Sequence, residues 1–119
     1  MQHNNILGKY GEDAAARFLL HEGWAVLDRN WRCSAGEIDL VVQRGSVLAV
    51  CEVKTRRSSR FGSPIEAVTT EKYLRLRRLA AMWLSEHGSH RGVVRIDIIA
   101  VLVDDAGMTH VQHVEAIGL

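Results

Sequence analysis

The sequence predicts an α/β domain in which helices flank a mixed central sheet, in the order α-β-β-β-α-β-β. Two stretches space their apolar residues three and four apart, as amphipathic helices do. Five stretches are instead rich in β-branched and aliphatic residues and are bounded by turn residues, which is typical of strands. The first three strands follow one another directly and predict a meander. The fourth follows a helix, so we expect it to pair in parallel.

The first helix is predicted from Leu7 to Glu22, where apolar and small residues recur at helical spacing. Glu12 lies on the row that borders the apolar stripe, so its carboxylate can reach over the sheet. The alternative is an exposed glutamate that only interacts favourably with the helix dipole. The sequence leaves both interpretations of Glu12 open.

Three predicted strands follow the first helix. They run from Trp24 to Cys33, from Ile38 to Val42 after a turn at Gly36, and from Val47 to Val53. The residues at 43–46 contain a turn signal, so the second and third strands are expected to pair as an antiparallel hairpin.

The second half of the chain begins with a predicted polar loop at 55–64, which ends at the chain's one proline. A second helix is predicted from Ile65 or Glu66 to Glu86, with Gly88 suited to a left-handed cap. Its buried stripe is expected to contain Tyr73, Leu76, Ala80 and Trp83, opposite Glu71, Arg75 and Arg78.

Two strands complete the predicted sheet. The first, from Val93 to Val103, is apolar and long enough to be central, and the second runs from Thr109 to Ala116 after a turn. Arg95 and Asp97 alternate onto one face of the long strand and are expected to form a structural ion pair.

Three charged residues lie on strand segments where a folded domain normally buries hydrocarbon: Asp39, Glu52 and Lys54. Side chains alternate along a strand, so Glu52 and Lys54 project to the same side. An antiparallel hairpin would place Asp39 roughly across from Glu52. The alternative is an ordinary ion pair between Glu52 and Lys54, but this does not explain Asp39 just inside an apolar run.

Such a trio suits a divalent cation that acts on phosphodiesters. Mg²⁺ or Mn²⁺ prefers hard oxygen ligands, often one or two carboxylates. Asp39 and Glu52 can supply these carboxylates, and the backbone carbonyl of Val53 can supply a further oxygen. Lys54 is then expected to be a catalytic cation that orients water or stabilises the transition state.

The motifs resemble a known family. The sequence looks like the YraN-like family of small bacterial proteins, within the PD-(D/E)xK nuclease superfamily, although Glu37-Ile38 stands where the name has its proline. The resemblance covers nearly the whole chain. It is carried by Gly8, Gly11 and Glu12, by the residues at 36–40 and 52–56, and by Arg95-Ile96-Asp97.

This resemblance implies a restriction-endonuclease-like core similar to that of archaeal Holliday-junction resolvases. It also implies a helix-borne catalytic carboxylate, for which it indicates Glu12. The function expected from it is that of a metal-dependent nuclease, and more narrowly an endonuclease, which hydrolyses phosphodiester bonds in DNA, including branched, repair or recombination intermediates. A module that binds nucleic acid without cutting it, or that needs a partner, is the alternative.

A basic stretch follows the proposed site. The residues from 54 to 78 hold eight of the chain's 15 Lys and Arg residues, although the formal net charge of the whole chain is only +1. Clusters of this kind bind phosphate backbones with little sequence preference. The expected nucleic-acid contacts in this stretch are Arg56, Arg57, Arg60 and Arg75. The resemblance to related nucleases, which contact phosphate through helix-borne residues, adds Thr69 and Lys72 at the start of the second helix. A solvated outer helix face explains Arg75 equally well.

Composition limits the remaining possibilities. A chain of 119 residues with 47% hydrophobic content fits one domain over 1–119. It contains no apolar run long enough to cross a bilayer and no leader pattern, so a cytoplasmic location is expected.

Two cysteines without CxxC spacing indicate neither a zinc site nor a disulfide scaffold. The three tryptophans are expected to pack in the core rather than stack on bases. A homodimer would extend reach along DNA, but no dimer surface is indicated.

Overall fold

Two helices cover opposite faces of a five-stranded mixed sheet in the computed structural model, which describes residues 2–57 and 68–118, with side chains from Ile6 onward. The sheet has the strand order β1-β2-β3-β4-β5. In chain order the elements are α1 (Gln2–His21), β1 (Ala25–Cys33), β2 (Gly36–Arg44), β3 (Val47–Arg57), α2 (Thr70–His87), β4 (Val93–Val103) and β5 (Thr109–Val114).

The strand directions confirm the predicted fold class. The first three strands form an antiparallel meander, and β4 returns through α2 to pair in parallel with β3. The fifth strand pairs antiparallel with β4 at the edge. This is the mixed sheet and the α-β-β-β-α-β-β order expected of a restriction-endonuclease-like core.

Each face of the sheet buries its own apolar cluster against one helix. Because side chains alternate along a strand, neighbouring residues of the interior strands enter different clusters. The cluster beneath α1 contains Ala14, Ala15, Ala16, Leu19, Trp24, Leu40, Val42, Ala49, Cys51, Ile99 and Val101. The cluster beneath α2 contains Ile38, Val41, Leu48, Val50, Leu76, Leu79, Ala80, Trp83, Ile96, Ile98 and Ile117.

The prediction for the polar segment after Lys54 was wrong at its start. Thr55, Arg56 and Arg57 continue β3 as strand instead of opening a loop. The reason is the length of its partner, because β4 pairs with β3 as far as Arg57 and Val103. The rest of that segment, including Arg60, lies outside the described residues.

The second helix begins later than its propensity suggested. Val68 and Thr69 precede it, so a start at Ile65 or Glu66 was wrong. Thr69 is extended, and its hydroxyl oxygen accepts the N–H of Lys72 at 3.0 Å, which makes it the N-cap. At the other end Gly88 is the C-cap and donates its N–H to the Leu84 carbonyl. Its φ of 100° is positive, as a left-handed cap requires, but its ψ of 153° is extended and lies outside the left-handed helical region.

A fully buried aspartate fixes the end of the chain to β4. Asp97 accepts hydrogen bonds from Arg95 Nε at 3.0 Å, from His113 Nε2 at 2.7 Å and from the Ala116 N–H at 2.9 Å. The predicted ion pair of Arg95 and Asp97 is therefore confirmed. The next residue, Ile117, donates its N–H to the carbonyl of Ile96. The segment after β5 is thus held against the middle of β4.

Candidate nuclease-like site at the divergence of two strands

The candidate site lies where β2 and β3 stop pairing. Their ladder runs from Arg44 and Val47 to Leu40 and Cys51. The next pair in register would be Asp39 and Glu52, so these residues are placed opposite one another as the hairpin predicted, just past the end of the ladder.

At the same point in β2, the alternation of side chains between the two faces of the sheet is interrupted. Leu40 lies in the cluster beneath α1, whereas Ile38 lies in the cluster beneath α2. In a regular strand residues two apart share a face, so β2 is irregular at Asp39. The pairing of β1 with β2 also omits this position, and Asn30 opposite it has φ 54°. The irregularity places the Asp39 side chain between the two strands.

The Asp39 carboxylate borders a small cavity. Its Oδ2 accepts the N–H of Val53 at 2.8 Å. We call the adjoining space the Asp39 cavity; it has a volume of about 290 Å³ and is lined by Leu7, Gly8, Glu12, Asp39, Val53 and Thr55. Gly11 allows α1 to approach β3 here, since a Cβ at this position would lie 1.8 Å from Thr55 Oγ1.

The electrostatics of this corner favour an added cation. Burial raises the pKa of Asp39, and the nearby acids Glu52, Glu12 and Glu37 add to this effect. The hydrogen bond from Val53 opposes it, and the net result is a pKa of about 7. The largest charge effects on Asp39 therefore all come from carboxylates. Burial also raises the pKa of Glu12, while a hydrogen bond with Asn30 lowers it. Glu12 therefore reaches over the sheet, which is one of the two interpretations that the sequence left open. Its side chain lines the Asp39 cavity.

The other predicted carboxylate is held by two lysines. Glu52 Oε2 lies 2.7 Å from Lys72 Nζ and 3.4 Å from Lys54 Nζ. We call these three residues the Glu52 cluster; they lie on the α2 side of the sheet. Burial lowers the pKa of Lys54, and the neighbouring Lys72 lowers it further. Burial alone would lower the pKa of Lys72 as well, but its hydrogen bond to Glu52 raises it.

The carboxylates of Glu12, Asp39 and Glu52 lie near one another at this corner, but they do not form a complete set of metal ligands. Among residues 6–57 and 68–118, no three His, Cys, Asp or Glu side chains are close enough to hold one ion together. Asp39 lies between the two sets of partners, with Glu12 on the α1 side and Glu52 on the α2 side. The Val53 carbonyl belongs to the same gap, because the N–H and C=O of a strand residue point to the same side.

The predicted nucleic-acid contacts are placed unevenly. Lys72 lies on α2 beside Glu52, and the exposed Arg75 lies on the same helix. Arg56 and Arg57 lie at the end of β3, where Arg57 is exposed. The hydroxyl oxygen of Thr69 is engaged as the N-cap of α2. Arg60 cannot be placed, because it belongs to the segment at 58–67.

Two features of the site were missed from the sequence. One is the hydrogen bond of Asn30 with Glu12; an asparagine near the middle of a predicted strand was the available signal, because asparagine tolerates positive φ. The other is that Lys72, expected to contact phosphate, lies closer to Glu52 than Lys54 does. No local pattern indicates that contact, since it depends on how α2 packs on the sheet.

Several known proteins are similar to this chain. A model described as "Uncharacterised protein family UPF0102" matches residues 11–101. A UPF0102 protein of Beutenbergia cavernae is 52% identical over 99% of this chain and 100% of its own length. Another from Nocardioides sp. is 53% identical over 94% of this chain and 90% of its own length. One from Streptomyces griseus is 51% identical over 98% of this chain and 99% of its own length.

One solved structure is also similar. It is the structure of Pyrococcus furiosus SfsA in complex with Ca²⁺, with a TM-score of 0.43 and 13% sequence identity, over 94% of this chain and 63% of that one. In the part of the present chain that the structure describes, no helix combines the length and apolar character needed to cross a membrane.

Proposed function

The chain belongs to the uncharacterised protein family UPF0102, and we propose that it is a metal-dependent nuclease that hydrolyses phosphodiester bonds in DNA. One observation carries this proposal. The Asp39 carboxylate lies in the gap between two strands with acids as its dominant charged neighbours, and its pKa is raised to about 7. A divalent cation would neutralise that group of carboxylates, and the lysines of the Glu52 cluster lie on the adjoining strand and helix.

The donor set fits Mg²⁺ or Mn²⁺. Asp39 and Glu52 would hold the ion with the Val53 carbonyl, and Glu12 would supply a further carboxylate from the α1 side. These are all oxygen donors, which such ions prefer over nitrogen or sulfur. When bound, the ion would acidify a coordinated water and offset negative charge on the phosphate.

The chain's own cations would handle the phosphate. Lys54 is half buried, with its side chain 28% exposed beside Glu52. An ammonium in that position can orient the attacking water or bind a non-bridging phosphate oxygen. Lys72 and Arg75 extend the positive charge along α2, and Arg56 and Arg57 extend it along β3. This surface would bind a phosphate backbone without reading its bases.

The preferred substrate is proposed from the resemblance to resolvase-like nucleases. We expect an endonuclease that acts on branched DNA formed in repair or recombination. The backbone contacts described above favour shape over sequence, because they involve phosphates rather than base edges.

The test is a cleavage assay with purified protein. Single-stranded, duplex, flap and four-way-junction DNA would be incubated with Mn²⁺, with Mg²⁺ and with EDTA. Cleavage is expected in the metal-containing reactions of the wild type and of Asp105→Asn, a control that removes an exposed turn carboxylate. It should be lost in Asp39→Asn, Glu52→Gln and Lys54→Met. Intact DNA in every wild-type reaction would contradict the proposal.

A second candidate is a module that binds DNA without cutting it unless a partner completes the site. The observation that favours it is the state of Glu52, whose carboxylate is already engaged by two lysines. Under this alternative, salt-sensitive DNA binding would survive in Asp39→Asn and Glu52→Gln, and no reaction would contain cleaved strands.

A further inference from the structure

Of the two lysines that pair with Glu52, the closer one comes from a different element of the fold. Lys72 Nζ lies 2.7 Å from Glu52 Oε2, closer than Lys54 at 3.4 Å. The two side chains are largely covered, at 20% exposed for Lys72 and 13% for Glu52. A pair this close and this poorly solvated is screened less than a surface pair. An ammonium therefore neutralises the carboxylate that the proposed metal site requires.

We propose that the ion pair of Lys72 and Glu52 keeps Glu52 from binding a divalent cation in the DNA-free protein, and that a substrate phosphate draws Lys72 away. Metal and nucleic acid then bind cooperatively at this site. The inference rests on the proposed nuclease function, and it assigns to Lys72 a positioning role that acts through Glu52.

The local charges supply the reason for this coupling. Glu52 carries one negative charge, and Lys54 and Lys72 carry two positive charges beside it, so the cluster already has an excess of positive charge. A divalent ion added at Glu52 would have to approach two ammonium groups. A phosphate that binds one of those groups removes this repulsion. Each ligand consequently makes the binding of the other more favourable, and the effect must be reciprocal.

The anchoring of Lys72 allows such a movement. Its backbone N–H is held by the Thr69 hydroxyl in the first turn of α2, so the start of the helix is fixed. The ammonium is carried on a flexible four-carbon stem with three rotatable donors. Transfer of Nζ from a carboxylate to a phosphate therefore requires only rotation within the side chain, while α2 stays packed on the sheet.

The decisive measurement is Mn²⁺ affinity without DNA, by isothermal titration calorimetry. Lys72→Met, and Lys72→Gln as a second variant, should bind Mn²⁺ about 5- to 10-fold more tightly than the wild type, within the usual range of coupling between sites. Arg78→Met is the matched control. It removes the same charge from an exposed position of the same helix without removing a contact of Glu52, and its affinity should change less than about twofold.

The reciprocal measurement is the affinity for a short DNA duplex with and without Ca²⁺, by fluorescence anisotropy. Ca²⁺ should tighten duplex binding about fivefold or more in the wild type, and by less than about twofold in Lys72→Met. Equal Mn²⁺ affinity in the wild type and both Lys72 variants would overturn the inference. If Asp39→Asn nevertheless loses Mn²⁺ binding, the proposed metal site stands. If Asp39→Asn binds Mn²⁺ like the wild type, or if no protein binds it, the proposed site fails together with the inference.

Discussion

Two aspartates on interior strands of the same sheet have opposite surroundings. Asp97 on β4 is 0% exposed, yet Arg95, His113 and the Ala116 N–H all donate hydrogen bonds to it. Asp39 on β2 is less buried, but it accepts a hydrogen bond from the Val53 N–H and its dominant charged neighbours are acids. Although burial alone would raise the pKa of Asp97, its hydrogen bonds lower it. The pKa of Asp39 is raised to about 7.

The difference shows that burial of a carboxylate does not by itself indicate function. The charge of Asp97 is balanced within the protein, and its bonds join β4 to β5 and to the segment that follows. The charge of Asp39 is not balanced by any of the dominant neighbours, and the protein bears the cost of placing it there. A carboxylate of the first kind stabilises the fold, and one of the second kind is suited to a ligand that brings positive charge.

The largest expected effect is the loss of stability in Asp97→Asn. The substitution leaves Arg95 and His113 beside an uncharged amide, and breaking a buried pair typically costs about 3 to 5 kcal/mol. Urea denaturation at neutral pH measures the change. Glu115→Gln is the control, because it removes only the half-exposed partner of Arg95 at 3.3 Å and should cost less than about 1 kcal/mol. Equal, small losses in both variants would show that Asp97 is not the support that its contacts indicate.

The second effect has the opposite sign and depends on pH. Asp39 has a raised pKa in the folded protein, so between about pH 4 and 7 the native state binds more protons than the unfolded chain. The stability of the wild type therefore falls as pH rises through this range. Asp39→Asn keeps an acceptor for the Val53 N–H and avoids the charge. It should be more stable than the wild type by about 2 to 4 kcal/mol at pH 8, since the pKa of Asp39 rises from 3.8 to about 7 and each pKa unit corresponds to roughly 1.4 kcal/mol.

The measurement is urea denaturation in EDTA from pH 4 to pH 8. The advantage of Asp39→Asn should shrink as pH falls to about 4 and vanish below it, where the carboxyl is protonated in the unfolded chain as well as in the folded protein. The stabilising contribution of Asp97 behaves in the reverse manner, because its folded pKa is lowered: it is present above about pH 4 and is lost as pH falls through the folded pKa. A wild type that is more stable than Asp39→Asn at pH 8 would contradict the assigned difference between the two aspartates.

Much of the fold could be predicted because it follows from local patterns. Runs of β-branched and aliphatic residues bounded by turn residues predicted every strand, and Gly88 predicted the end of α2. The errors concern the ends of helices and strands, which depend on neighbouring elements of the fold. The strand β3 continues to Arg57 because β4 pairs with it that far. The helix α2 begins only after Thr69, because the extended backbone of this N-cap residue interrupts the helical pattern that the sequence before it suggests.

The site was predictable to the extent that it depends on strand register. The hairpin places Asp39 opposite Glu52, and the Glu-x-Lys spacing places Lys54 beside Glu52, as expected from alternation. The change of facing at Asp39 and the contact of Lys72 with Glu52 were not predictable. Both depend on the packing of elements that are distant in sequence, so no local stretch of sequence indicates them.

The third effect is stabilisation by metal. If Asp39 holds a divalent ion, Mn²⁺ at ten times its dissociation constant should stabilise the wild type by about 1.4 kcal/mol. Thermal denaturation at pH 8, with and without Mn²⁺, measures this gain. Asp105→Asn should retain the gain, and Asp39→Asn should show none. An equal gain in all three proteins would show that the ion binds elsewhere. The surroundings of Asp39 would then not indicate a metal site.

The smallest effect comes from two adjacent acids of α1. Asp13 forms an ion pair with Arg29 at 2.6 Å, and burial raises the pKa of its neighbour Glu12. Asp13→Asn should therefore lose a few tenths of a kcal/mol, as for other partly exposed pairs, up to about 1 kcal/mol. Glu12→Gln should be neutral or slightly stabilising in EDTA at pH 8, because it removes one of the acids that oppose the charge of Asp39.

The same pair of variants separates stability from metal binding. In Mn²⁺ the order should reverse, since Glu12→Gln loses a carboxylate that borders the Asp39 cavity and Asp13→Asn does not. Urea denaturation with and without Mn²⁺ makes the comparison within one turn of one helix. If Glu12→Gln gained as much from Mn²⁺ as Asp13→Asn, Glu12 would be an ordinary helix residue, and the candidate site would consist of Asp39 and the Glu52 cluster alone.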